Sequence, residues 1–358
     1  MRRIAAAEHT PGPLLAVDAC STHFQTPAGV VRAVDDVSLT VERGRTLGIV
    51  GESGSGKSVL VHSIMGLLPR HGVVRRGSVR FEGRELMGLG VADMRSYWGA
   101  EMAMVFQDPM TSLNPVMRIG TQLTEALHQH VDIRRREATA QALALLRSVG
   151  IPDAARRMRE YPHMLSGGMR QRVMIALALA GGPKILLADE PTTALDVTVQ
   201  CQVLDLLQEQ QRARAMAMIL VSHDLGVVFS RADDVAVMYA GRIVERAPAA
   251  TLRKRMHMPY TEALFRSIPT LSRPSHTRLD AIVGRPPSPT EVPTGCPFHP
   301  RCEYADDQCR AVAPPLQTAA EPTHEFACWH PVNLGVSPTT TAQTTTTQTK
   351  TTQTKTTR

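Results

Sequence analysis

Short, continuously apolar runs alternate with amphipathic stretches through the first two thirds of the chain. TLGIV (Thr46 to Val50), MAMVF (Met102 to Phe106), ILLADE (Ile185 to Glu190) and MILVS (Met218 to Ser222) have strand length and no polar face until their ends. That is the pattern of strands buried on both sides in a parallel sheet. VLVHSIMGLL (Val59 to Leu68), IGTQLTEALHQH (Ile119 to His130), ATAQALALLRSVG (Ala138 to Gly150) and MRQRVMIALALA (Met169 to Ala180) repeat apolar residues at helical spacing. Residues 14 to about 90 read differently. LLAVDACSTHF, VVRAVDDVSLTV and GSVRFEG are strand-like segments separated by turn signals, as in an antiparallel sheet. Residues 108 to 180 are helix-rich, and 181 to 245 return to alternating strands and helices. Beyond about 246 the periodicity fades into Pro-rich loops such as RPPSPTEVP. The expected class is α/β.

The polar punctuation of this pattern carries the chemistry. GESGSGKS, Gly51 to Ser58, follows one buried strand and opens a helix, and it has the form G-x-x-x-x-G-K-[ST]. Gly51, Ser53, Gly54, Ser55 and Gly56 form a turn whose N–H groups point inward around a phosphate. Lys57 reaches the β and γ oxygens, and Ser58 offers its hydroxyl to Mg²⁺. The helix N-terminus adds partial positive charge. The ligand is a nucleoside triphosphate.

ILLADE ends in two carboxylates. Asp189 is placed to hold Mg²⁺, and Glu190 to polarise an attacking water. Gln107 follows another apolar strand, where its amide reaches Mg²⁺ or water, and His223 follows a further one, within reach of a phosphate oxygen from the far side. LSGGMRQR, Leu165 to Arg172, supplies a second anion site. Ser166 is a helix N-cap, and Gly167 and Gly168 allow close backbone approach.

Together these motifs resemble the ATP-binding subunits of ABC transporters over most of residues 14 to 335. The resemblance implies a P-loop NTPase, RecA-like core with an antiparallel β subdomain and a helical subdomain at about 108–180. It makes Gln107 the γ-phosphate sensor, LSGG the signature, Ala194-Leu195-Asp196 the D-loop and His223 the switch histidine. It also implies that Ser166, Gly167 and Gly168 complete the ATP site of a second ABC ATPase subunit, in a homo- or heterodimer. In this family the antiparallel part holds adenine against an aromatic ring. Phe24 is the candidate, with a buried strand Phe as a nearly equal reading.

Longer stretches narrow the class. QDPMTSLNPVMRIGTQLTEAL, YPHMLSGGMRQRVMIALALA and DEPTTALDVTVQCQVLDLL resemble the oligopeptide, dipeptide and nickel importer subgroup, as does MPYTEALFRSIPTL. Met164 replaces a more usual polar residue, and Gly181-Gly182 replaces a commoner small pair. The implied partners are two transmembrane permease subunits and, through them, a solute-binding protein, at the cytoplasmic face of a bacterial cell membrane. The implied activity is ATP hydrolysis coupled to import, of peptides first and nickel or another small solute as the alternative. A soluble ABC ATPase of translation or repair would more usually carry two nucleotide domains.

The chain has 358 residues, 43% hydrophobic, and a formal charge of +7. No apolar run approaches the roughly 20 residues of a membrane-spanning helix, and the basic N-terminus lacks an apolar core before Pro11. The charge suits an anionic membrane face. No nucleic-acid module is present, so nucleic acid is not an expected partner.

Four of six cysteines, Cys296, Cys302, Cys309 and Cys328, fall in GCPFHPRCEYADDQCRAVAPPLQ and FACWHP. Crowded thiols without disulfide context read as a metal or cluster site. The subgroup resemblance implies a [4Fe–4S] cluster. Zn²⁺ is satisfied equally in number, although the spacing has no C-x₂-C knuckle. His299 and His330 lie nearby as loop residues or alternative ligands, and Cys20 and Cys201 are expected to be packing residues. The expected organisation is a tail at 1–13, a nucleotide-binding domain at 14–245, an extension at 246–335 and a disordered Thr-rich tail at 336–358.

Overall fold

A computed structural model of the chain describes residues 12–69, 71–193, 195–268 and 282–333. The basic N-terminus, Ala194 of the expected D-loop and the Thr-rich tail lie outside them. The strands are β1 (Leu15–Thr26), β2 (Gly29–Val41), β3 (Thr46–Val50), β4 (Val73–Phe81), β5 (Arg84–Glu85), β6 (Met102–Val105), β7 (Ile185–Asp189), β8 (Ala217–Ser222), β9 (Asp234–Tyr239), β10 (Arg242–Pro248), β11 (Gln317–Thr318) and β12 (Glu325–Phe326). The helices are α1 (Lys57–Met65), α2 (Val91–Met94), α3 (Pro109–Ser112), α4 (Ile119–His130), α5 (Arg135–Ser148), α6 (Ala154–Arg157), α7 (Gly167–Leu179), α8 (Val197–Ala213), α9 (Leu225–Arg231), α10 (Ala249–Leu252), α11 (Pro259–Arg266) and α12 (Asp307–Ala311).

Two sheets result. The smaller has the order β2-β1-β4-β5 and is antiparallel throughout. The larger has the order β11-β12-β10-β9-β3-β8-β7-β6. Its centre, β9-β3-β8-β7-β6, is parallel. β3, β6, β7 and β8 are buried along their whole length, as their unbroken apolar runs require. β10 and β12 add antiparallel pairs at the far edge, so the extension continues the nucleotide-core sheet.

Three apolar clusters hold the layers. One lies between the small sheet, α1 and one face of the large sheet, around Leu39, Ile49, Leu60, Phe81 and Ile219. A second packs α4, α5, α7 and α8 on the opposite face, around Leu123, Leu146, Ile175, Leu186 and Leu207. A third joins β9 and β10 to the extension through Tyr239, Tyr260, Phe298 and Phe326.

Helix α1 begins two residues before the apolar periodicity does and stops at Gly66, whose φ of 65° ends it in the left-handed region. Lys57 and Ser58 are therefore its first helical residues. Cys20 is buried, as a packing residue should be, but Cys201 is exposed on α8. The helical period of α8 turns that position outward, which corrects the expectation that both cysteines pack.

Candidate functional site

The site forms where the parallel strands end. Gly51 follows β3, Gln107 lies two residues past β6, Glu190 follows β7 and His223 follows β8. This edge is where open α/β sheets bind ligands. The cradle backbone is tightly confined. A Cβ on Gly51 would lie 2.2 Å from the Met238 carbonyl, and one on Gly56 (φ 101°) 2.1 Å from the Ala33 carbonyl. Only glycine fits at either position. The contact with Ala33 also seats β2 of the small sheet against the cradle.

Lys57 is buried and donates to the carbonyls of Gly51 at 2.7 Å and Glu52 at 3.0 Å. It folds across the loop, and burial lowers its pKa against the pull of Glu190 and Asp189. Ser58 donates from Oγ to Asp189 Oδ1 at 2.9 Å. Burial raises the Asp189 pKa, with the Ser58 bond opposing. A hydroxyl facing a carboxylate in a partly buried pair is a hard-oxygen donor set of the kind Mg²⁺ takes.

Glu190 gathers the other polar groups. Its Oε2 lies 3.0 Å from Thr193 Oγ1, 3.3 Å from His223 Nδ1 and 3.4 Å from Gln107 Nε2. Its φ is 44°, left-handed and unusual for a non-glycine residue. Its own N–H donates to the Val221 carbonyl at 3.1 Å, which ties β7 to β8 just below the site. Phe24 is half-buried on β1, paired with Val31 and Val73, two residues along β2 from Ala33.

Ser166 caps α7 by accepting from the Met169 N–H at 3.3 Å. Asp196 caps α8 in the same way, accepting from Val199 N–H at 3.0 Å. The two caps adjoin. A Cβ on Gly168 would lie 2.6 Å from Val199 Cγ1, and one on Gly167 3.7 Å from Leu195 Cδ2. Met164 is exposed immediately before this loop.

In the extension, Cys296, Cys309 and Cys328 are buried, Cys302 is half-buried, and all four are free thiols. They share the third apolar cluster. Burial pushes the Cys328 thiol up to about 12 and Cys296 up to about 11, and the neighbouring thiols add to both shifts. Among the described residues, ligand atoms within 4.8 Å of one another occur at His257–Glu321–His324 and at Asp306–Cys309–His330, and no three of the four thiols come that close. His330 binds Asp306 Oδ2 at 2.8 Å, and His299 Nδ1 contacts the Cys296 carbonyl at 2.9 Å.

Three residues near the cradle were missed by sequence reasoning. Glu52 donates its N–H to Tyr260 Oη at 2.9 Å, and its carboxylate takes both terminal nitrogens of Arg301 at 2.6 and 2.9 Å. Arg301 lies 249 residues further along the chain. Only its place between Cys296 and Cys302 marked it in sequence.

The fold agrees with solved structures. A dimeric, post-hydrolysis ATP-binding cassette, MJ0796 with ADP and Pi, covers 66% of this chain and 98% of its own at TM-score 0.59 and 24% identity. CbiO1 from Clostridium perfringens, part of an ABC transporter complex, covers 68% of this chain and 91% of its own at TM-score 0.57 and 25% identity. The ABC transporter family model matches residues 34–193. The sheet, the cradle and the carboxylates at its edge define an ATP-binding cassette ATPase. The model of the oligopeptide/dipeptide transporter C-terminal region matches residues 244–309. The oligopeptide transport ATP-binding protein OppD of Haemophilus influenzae is 49% identical over 306 residues, 86% of this chain and 94% of the relative. The dipeptide transport ATP-binding protein DppD of Escherichia coli K12 is 45% identical over 326 residues, 91% and 99% of the two chains. The chain belongs to the family of oligopeptide/dipeptide ABC transporter ATP-binding subunits.

Proposed function

We propose that this subunit hydrolyses ATP at the cradle to energise import of oligopeptides or dipeptides through two transmembrane permease subunits, supplied by a solute-binding protein. The observation that carries the chemistry is the convergence of Gln107, Thr193 and His223 on one oxygen of Glu190. The cradle N–H groups and Lys57 hold the β- and γ-phosphates. For Lys57 to do so it exchanges the Gly51 and Glu52 carbonyls for phosphate oxygens, and this opens the turn for the ligand. Ser58 and Asp189 hold Mg²⁺, which when bound neutralises charge on the β and γ oxygens. Glu190 accepts a proton from the attacking water. Gln107 orients that water, and His223 steadies the γ-phosphate from the far side. Phe24 stacks on adenine. Asp196 and the Ser166–Gly168 loop serve the site of the partner ATPase, which is a second copy or a similar chain.

Among the described residues no helix is long and apolar enough to cross a membrane. Together with the charge of +7, this supports peripheral attachment at the cytoplasmic face. The four thiols hold a [4Fe–4S] cluster. Four thiolates satisfy such a cluster fully, and their spacing, with no C-x₂-C knuckle, supports it over a zinc ribbon. The test is purification of the chain with its permeases under anaerobic conditions, then reconstitution in vesicles. Peptide uptake that needs hydrolysable ATP, with about four irons and four sulfides per chain, is expected. ATP-independent uptake, or uptake of Ni²⁺ and no peptide, overturns the transport reading. One zinc with no iron or sulfide overturns the cluster.

A further inference from the structure

Glu52 occupies the second position of the phosphate cradle, and none of its polar groups is left to solvent alone. Its N–H goes to Tyr260 Oη at 2.9 Å. Its carbonyl accepts from Lys57 Nζ at 3.0 Å. Its two carboxylate oxygens accept the paired terminal nitrogens of Arg301 at 2.6 and 2.9 Å. Three of these four hydrogen bonds go to residues of the extension. Tyr260 is fully buried, and the Arg301 side chain is 4% exposed.

Arg301 is itself held from several sides. Its Nε donates to the Val283 carbonyl at 3.1 Å and its Nη1 reaches Tyr239 Oη at 3.3 Å. The guanidinium lies 5.9 Å from the ring centres of both Tyr239 and Phe298. Tyr239, Tyr260 and Phe298 form one aromatic group, with Tyr239 and Tyr260 4.5 Å apart. The Glu52 pairing raises the Arg301 pKa further, so the cation is permanent. A planar fork on a carboxylate fixes direction as well as distance, which a single ammonium does not.

The backbone carrying Arg301 runs directly between two thiols. Cys296, a turn at His299–Arg301 and Cys302 are consecutive, and Arg301 N–H donates to the Phe298 carbonyl at 3.0 Å. Cys296 N–H is bonded in turn to the Cys309 carbonyl at 2.8 Å. Any group that bridges these sulfurs fixes the turn from which Arg301 projects.

We propose that Arg301 is a positioning residue for the phosphate cradle, acting through Glu52, and that occupancy of the four-thiol site thereby sets the affinity of the cradle for MgATP. The first half rests only on the nucleotide site. The second rests on the four-thiol reading given above. The thermodynamics are those of preorganisation. A cradle already held in its binding conformation loses less freedom when the phosphates arrive. Arg301 touches no substrate in this scheme, and its effect passes through the loop.

The experiment uses the full chain, purified anaerobically, with three readouts: iron, sulfide and zinc per chain, thermal unfolding, and equilibrium binding of a fluorescent ATP analogue with Mg²⁺. Arg301→Ala and Glu52→Gln are each expected to weaken binding about tenfold, ~1.4 kcal/mol, with metal content unchanged. The double variant is expected to be no weaker than either single one, because both remove the same link. Arg301→Lys is expected to recover only part of the affinity. Stripping the thiol site, by chelation or by Cys302→Ser, weakens binding in the parent chain and has no further effect in Arg301→Ala. If Arg301→Ala does not fold, the isosteric Glu52→Gln carries the same test. Binding within about twofold of the parent in Glu52→Gln (under ~0.5 kcal/mol) or full additivity in the double variant overturns the positioning role. Equal weakening by stripping in the parent and in Arg301→Ala overturns the coupling. A parent chain that holds no metal at all removes the coupling with the four-thiol reading, while the Glu52→Gln result still decides the positioning role.

Discussion

Glu190 combines three properties that rarely coincide in a residue kept only for structure. Its backbone is left-handed at φ 44°, a conformation that costs a non-glycine residue on the order of 1 kcal/mol. Its carboxylate is shared by Thr193, His223 and Gln107. Its N–H is consumed by β8. The strained turn swings the side chain off the β7 axis while Asp189, still in the strand, faces Ser58. Adjacent carboxylates thus point to different partners, Asp189 to the Ser58 hydroxyl and Glu190 to Gln107, Thr193 and His223. Replacement of Glu190 by Gln preserves shape and hydrogen-bonding reach but removes the proton acceptor. In the assembled transporter, Glu190→Gln is expected to lower turnover by about 10²-fold or more while MgATP binding stays near the parent value. Steady-state phosphate release beside equilibrium nucleotide binding checks it, counted per site because a partner retains its own acid. Near-normal turnover would remove Glu190 from the role of general base.

Between elements, charge pairs and glycine contacts set how the layers meet. Asp35 on β2 accepts from Arg242 of β10 at 2.7 and 3.0 Å, with His23 of β1 3.4 Å away. Burial pushes the Asp35 carboxyl up, but the Arg242 and His23 contacts outweigh it and hold its pKa below the ordinary 3.8. A depressed acid stabilises the fold above its unfolded pKa and loses that contribution as pH falls through its folded value. The stability gap between parent and Asp35→Asn, read from urea unfolding, is therefore expected to shrink as pH falls from about 5 through the ordinary 3.8 and on to the lower folded value. A gap that widens on acidification contradicts the pairing. At the other face, Gly168 of α7 rests on Val199 of α8, so a side chain there must displace the Val199 side chain beside the cap made by Asp196. Gly168→Asp is expected to abolish most turnover and to leave nucleotide binding at the same chain's cradle intact, checked by both assays on one preparation. These elements also show what local sequence conveys. The buried parallel strands, α4, α5 and α7 were readable because their apolar spacing is set by burial within a few residues. The convergence of Ser58, Asp189, Glu190, Gln107 and His223 was readable because the last four lie at or just past the ends of strands of one sheet, and Ser58 lies in the helix that the cradle joins to another strand of that sheet. The extension was not. β11 and β12 are two residues each, too short for any period. Arg301 and Glu52 are joined only by a fold that spans 249 residues, and no local pattern records such a pair. Buried Glu245, which accepts from His257 N–H at 2.5 Å, Met258 N–H at 3.2 Å and His324 Nε2 at 2.8 Å, was hidden for the same reason.

For the whole molecule, the decisive fact is that the chain presents two glycine-rich helix starts on different layers. The cradle opens α1 at the edge of the parallel sheet, beside β2 of the small sheet. The Ser166 loop opens α7 in the helical layer, where it packs on α8 and Leu195. Exposed Met164 and Val197 flank that second start, interspersed with exposed His163, Ser166, Asp196 and Thr198. In the shared-site arrangement proposed above, each chain offers a cradle at one place and the Ser166 helix N-terminus at another, and two chains related head to tail satisfy both at once. Such donors act most strongly where charge develops on the γ-phosphate, and removing a preorganised set costs on the order of 10²-fold in rate. The dilute monomer is therefore expected to bind MgATP at the cradle yet turn it over about 10²-fold more slowly than the dimer. Turnover per chain should rise with protein concentration, or on adding the partner ATPase, in step with dimer measured by sedimentation. The Gly168→Asp chain should act as an acceptor only. Mixed with parent chains, it should support turnover at its own cradle and fail to activate its neighbour's. Full turnover in a chain shown by sedimentation to remain monomeric would place the whole catalytic set within one chain and refute the shared-site arrangement.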